Sequence, residues 1–129
     1  MILNFKKRTL QPGMIAIEIQ GSMHNGPDCM RLQKEIDAMI AGGETRVIFD
    51  LAGLTHADSA AIGAIVRCLM KLKGAGGALR IAAAHPMIVL SLQLTKVDRL
   101  IEMFSSVDQA SQEFSAPKPG LGSAPRKPS

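Results

Sequence analysis

The chain has 129 residues, 47% of them hydrophobic and 3% aromatic, with no Trp or Tyr and a formal charge of +4. That length suits one domain with its own core, and the missing aromatic faces argue against a stacking platform for single-stranded nucleic acid. The charge is not a basic face: Lys118, Arg126 and Lys127 lie in 116–129 without an acid, and the remainder is close to neutral, unlike a nucleic-acid domain.

Residues 2–6 are a weak strand candidate, and Gln11-Pro12-Gly13 is a turn signal. Ile15, Ile17 and Ile19 alternate with Ala16, Glu18 and Gln20, the pattern of a half-buried strand. Residues 21–26 read as a loop. Pro27 suits the first turn of a helix, and Cys29, Leu32, Ile36, Met39 and Ile40 give that helix one apolar face until Gly42-Gly43 stops it. Val47 to Leu51 is a nearly continuous apolar run, the signature of a strand covered on both faces.

A loop from Ala52 to Asp58 follows, then a helix over about 59–73 with Ile62, Ile65, Val66, Leu69 and Leu72 inward. Ala60, Gly63, Ala64, Arg67 and Lys71 project another way. Residues 74–77 are a glycine turn, 78–83 a strand, and His85-Pro86 opens a helix to Leu94. Residues 100–104 are a last strand candidate, and Ser106 with Gln109 fits a capping box before a helix ending near Phe114. Residues 116–129, rich in Pro, Gly, Ser and Lys, form a tail with too little apolar surface to order itself. Strands alternating with helices predict an α/β layered domain over 1–115 with right-handed crossovers.

The informative stretch is Asp50 to Gly77. Asp58 and Ser59 both suit a helix N-cap, where a side-chain oxygen satisfies a free backbone N–H. The same geometry also suits a different role. A hydroxyl at a helix start is exposed, and the positive end of the helix dipole favours an anion there. A phosphate would add about −1.5 to −2 charges and three acceptor oxygens without unfolding the helix. Asp58 beside it adds repulsion toward an acidic partner. The cap and switch roles are compatible.

The run V-I-F-D-L-A-G-L-T-H-A-D-S-A-A-I-G-A-I, residues 47–65, resembles the signature of STAS-domain anti-sigma factor antagonists, and residues 74–81 are similar to that family's glycine turn and following strand. The resemblance implies a STAS-like single domain with a four- to five-stranded mixed sheet and about four helices. It makes Ser59 the phosphorylation site, supported by Asp58. It implies a partner-binding surface at His24, Asn25, Ala60, Gly63 and Arg67. The implied partner is an anti-sigma factor that is also a GHKL-type serine kinase. It binds the unphosphorylated antagonist and loses it on phosphorylation, and a phosphatase of the PP2C type resets the cycle. The chain departs from the family pattern at Ala60 and Ala61, where a hydroxyl and a glycine are usual, and at His24, where an acid is common.

The rival reading of the resemblance is a constitutive STAS scaffold subunit, of a lipid-transport ABC complex or a signalling assembly, without a phosphate switch. No enzyme is expected: G-x-S-x-G is missing around Ser59, and residues 74–77 lack a P-loop lysine. No cofactor and no metal are expected, because His24, His56 and His85 match no zinc spacing. His24 and His56 both sit at strand ends and are expected to border one surface. Arg67 and Lys71 read either as a solvated face or as the rim of a docking patch. Cys29 and Cys68 are expected to be buried, outside any disulfide framework. No apolar run reaches ~20 residues, and MILNFKKR has its charges after its apolar residues, unlike a signal peptide. A reducing, cytoplasmic location is the expectation.

Overall fold

In the computed structural model, residues 3–24, 26–112 and 114 are described. The expected tail, 116–129, and Asn25 lie outside them. The chain folds as β1 (Asn4–Gln11), β2 (Met14–Met23), α1 (Pro27–Ala41), β3 (Arg46–Asp50), β4 (Leu54–Ala57), α2 (Ser59–Gly74), β5 (Ala78–Ala82) and α3 (Pro86–Leu94). A 3-10 turn (Val97–Arg99), β6 (Glu102–Phe104) and α4 (Val107–Gln112) follow. The mixed α/β architecture with four helices agrees with the sequence, but the sheet holds six strands.

The strand order is β1-β2-β3-β5-β6. β1 runs antiparallel to β2 through the Pro12-Gly13 turn, and the remaining neighbours are parallel. β4 pairs in parallel with the far end of β2, placing Met23 opposite Ala57. This pairing corrects two loop expectations. Residues 21–23 are strand because β4 gives their backbone a partner, and 54–57 are strand for the same reason. The β4 sequence, Leu54-Thr55-His56-Ala57, is too short and polar to announce a strand alone.

Successive residues face opposite sides of the sheet. Ile15, Ile17, Val47, Phe49, Leu79 and Ile81 join Leu32, Ile36, Ile65 and Leu69 of α1 and α2 in the main core. The opposite set, Met14, Ala16, Ile48 and Ala82, is covered by Ala110 and Phe114. β2 is therefore buried on both faces along Met14–Ile17, and not half-buried as its alternation suggests. Ala16 is small but fully covered.

The glycine turn after α2 has a steric cause at Gly77. A Cβ there would collide with the Thr45 backbone, whose carbonyl accepts the Ala78 N–H at 3.0 Å. The close approach starts β5 beside β3. The capping box of α4 is half as expected. Ser106 Oγ accepts the Gln109 N–H at 3.1 Å, but Gln109 Oε1 accepts from the Ser105 hydroxyl at 2.5 Å.

Candidate functional site

Four chain segments meet where β2 and β4 end and α1 and α2 begin. The Asp58 N–H donates to the Met23 carbonyl at 3.3 Å, which ties the start of α2 to the end of β2. Thr55 Oγ1 donates to the Gly21 carbonyl at 3.0 Å, and the Gly21 N–H donates to Gly53 O at 2.9 Å. The loop before α2 is thereby stitched to the sheet.

The cap of α2 is Asp58. Its backbone is extended, with φ −84° and ψ −179°, and its Oδ1 accepts the Ala61 N–H at 2.8 Å. Ser59 is then the first helical residue, exposed, and its hydroxyl makes no hydrogen bond to another described residue. The two side chains that both suited a cap are thus separated. One serves the helix, and the other is left at the surface on the positive end of a 16-residue helix. Ala61 is a buried helical residue that donates to this cap, so no positive φ is required there.

The second carboxylate oxygen of Asp58 faces His24 Nδ1 at 3.6 Å. His56 lies one strand over, its Nδ1 3.1 Å from Thr55 Oγ1, and its register partner is Ser22.

Cys29, in the first turn of α1, donates its thiol to His24 O at 3.2 Å and lies 3.6 Å from Ala60 O. It thus spans the β2–α1 loop and the first turn of α2. Burial pushes this thiol above its ordinary range, and the Asp58 and Asp28 carboxylates push it further, against the Arg67 guanidinium. The sequence reveals Cys29 only as a buried residue of an apolar face. Its bonds join residues 5 and 31 positions away, a separation that no local pattern reports.

Ser59, Gly63 and Arg67 succeed one another at four-residue steps on the outer side of α2. A Cβ added to Gly63 would lie 3.7 Å from an Arg67 nitrogen, so the guanidinium folds back over the glycine toward the helix start. Arg67 is exposed and makes no ion pair among the described residues. Lys71 differs: its Nζ is 2.9 Å from Asp37 Oδ1, bracing α2 against α1. One side chain changes sides relative to the sequence expectation, while Val66 packs against the main core as expected. Ala64 is buried in the α1–α2 seam, and Val66 is half-buried at the rim.

The structure thus brings His24, Asp58, Ser59, Ala60, Gly63 and Arg67 to one end and face of the molecule. Asn25, the remaining expected member, lies outside the described residues. No group of three His, Cys, Asp or Glu side chains among the described residues is arranged to hold a metal ion. No helix among them is long and apolar enough to cross a membrane.

Comparison with known proteins fits this geometry. The family model of the STAS domain matches residues 9–110. A Thermotoga maritima protein named as an anti-sigma factor antagonist is 23% identical over 77 residues, 60% of this chain and 68% of that one. A crystal structure under the same description, from the same organism, superposes with a TM-score of 0.79 at 17% identity. It covers 87% of this chain and 95% of the other. The phosphorylated form of the Bacillus cell fate determinant SpoIIAA superposes with a TM-score of 0.69 at 16% identity, covering 85% and 98%. At these identities the structural likeness is one of fold.

Proposed function

Because this chain belongs to the STAS domain family, we propose that it is an anti-sigma factor antagonist whose docking is switched off by phosphorylation of Ser59. The observation that carries the reading is the division of labour at the start of α2. Asp58 Oδ1 caps the helix, and the neighbouring Ser59 hydroxyl is exposed and has no hydrogen bond among the described residues. Esterifying that oxygen breaks no hydrogen bond among the described residues. It adds about −1.5 to −2 charges where a helix dipole tolerates them. The fold persists, and the change falls on whatever docks there.

The partner is an anti-sigma factor with serine kinase activity of the GHKL type, and a phosphatase of the PP2C type restores the binding form. The relatives' names supply the class of partner, and the solution of SpoIIAA in phosphorylated and unphosphorylated forms supplies the precedent for a phosphate. The docking surface is His24, Asn25, Ala60, Gly63 and Arg67. Small side chains near the helix start let a partner approach the backbone. Arg67, unpaired among the described residues, offers a carboxylate on that partner its complement. The protein works as a binding module in the cytoplasm, without catalysis of its own.

The test is incubation with the anti-sigma kinase and ATP, location of the phosphate by mass spectrometry, and calorimetric binding of Ser59 variants. Ser59→Ala is expected to bind like the wild type and to resist phosphorylation. Ser59→Asp is expected to lose at least tenfold in affinity. Wild-type affinity in Ser59→Asp would remove the switch and leave a constitutive scaffold.

A further inference from the structure

The outer face of α3 is apolar where a surface helix is normally charged. The segment Pro86–Leu94 contains no ionisable residue. Ile88 and Leu92 fill the core, but Met87, Leu90 and Leu94 face water at 68%, 45% and 74% exposure. Their spacing of three and four residues makes them one stripe. Leu100, just past the 3-10 turn, adds a fourth exposed side chain at 53%. Four of the six exposed large hydrophobics among the described residues thus lie within fourteen positions. Single exposed apolar residues are ordinary, but a contiguous set marks an interaction surface.

What surrounds the stripe selects the occupant. Lys96 and Arg99 stand exposed at its carboxyl end, and neither makes an ion pair among the described residues. A second copy docked with its α3 parallel to this one would bring both pairs of cations to one seam, which is repulsive. A lipid surface is matched less well, because the stripe carries no aromatic anchor and spans only a nine-residue helix. A protein helix with carboxylates beside its apolar residues meets both features. The flexible Met87 and the leucines adapt to apolar anchors, and Lys96 and Arg99 pair with the acids.

We propose that the outer face of α3 docks an acidic amphipathic helix of a partner protein. The test uses two synthetic helical peptides with one leucine stripe, one otherwise rich in Glu and one in Lys. Binding is followed on the Met methyl resonances of the full chain. The acidic peptide is expected to shift Met87 saturably below millimolar concentration, and the basic peptide is not. Charge reversal at exposed positions, Lys96→Glu with Arg99→Glu, is expected to weaken the acidic peptide at least tenfold without disturbing the core. Leu94→Glu is expected to abolish binding. Equal binding of both peptides, or binding of neither, overturns the proposal. So does retention of this face on anionic vesicles or in a concentration-dependent dimer.

Discussion

Two neighbouring residues carry opposite physical duties at the start of α2, and this difference is measurable without a partner. Asp58→Ala removes the oxygen that accepts the Ala61 N–H. It is expected to cost about 1 kcal/mol in urea unfolding. Ser59→Ala removes a hydroxyl with no described hydrogen bond and is expected to stay within about 0.5 kcal/mol of the wild type. A comparable loss at Ser59 would mean that its hydroxyl serves the fold. The sequence placed both residues at the helix start but did not assign the cap, because either oxygen reaches the same orphan amides. Only the extended backbone of Asp58 decides it. At the same scale, burial between α1 and α2 pushes the Cys68 thiol up to about 12 from an ordinary 9.0. The unfolded thiol ionises above about pH 9 while the folded one keeps its proton. Stability therefore falls as pH rises from 9 toward 12. At pH 10.5 this contribution is about 2 kcal/mol. Under reducing conditions, the stability drop between pH 8 and pH 10.5 is expected to shrink by that amount in Cys68→Ala.

At the scale of elements, the second face of the sheet depends on a short helix held by two arginines. Arg80 donates to Ala110 O at 2.8 Å and pairs with Glu102 at 3.1 Å. Its guanidinium lies 5.0 Å from the Phe104 ring centroid and 4.5 Å from that of Phe114. Arg46 donates to Phe114 O and to Pro12 O, both at 2.9 Å. A six-residue helix cannot hold itself in water. Arg80→Ala is therefore expected to cost about 3 kcal/mol and to speed amide exchange in 107–112 ahead of the rest of the chain. Arg80→Lys is expected to recover little, because an ammonium neither forks to two acceptors nor stacks flat on the rings. Uniform exchange across the domain in Arg80→Ala would show that α4 is not held locally. The elements with strong periodicity, α1, α2, β3 and β5, were legible within a residue or two. Those that exist only through a distant partner were not. β4 needs the end of β2, the two-sided burial of β2 needs α4 and Phe114, and neither dependence leaves a local pattern.

For the molecule as a whole, stability and docking pull Gly63 in opposite directions. The glycine sits inside α2 at an ordinary helical φ, where alanine is favoured by about 0.5–1 kcal/mol. The space for a methyl exists, since its nearest neighbour would be Arg67 at ordinary van der Waals distance. On folding alone, Gly63→Ala is an improvement, and its melting temperature is expected to rise by about 3 °C. On the proposed docking surface, the methyl fills the gap between Ser59 and Arg67 through which a partner would reach the helix backbone. Affinity for the proposed anti-sigma partner is therefore expected to fall about tenfold in the same variant, chiefly through faster dissociation. A hotter melt with unchanged affinity would exclude Gly63 from the docking surface. A lower melt would show that the helix needs the glycine for a packing reason absent from this geometry. A rise in stability with a loss of binding would instead mark Gly63 as a residue kept for what docks on it.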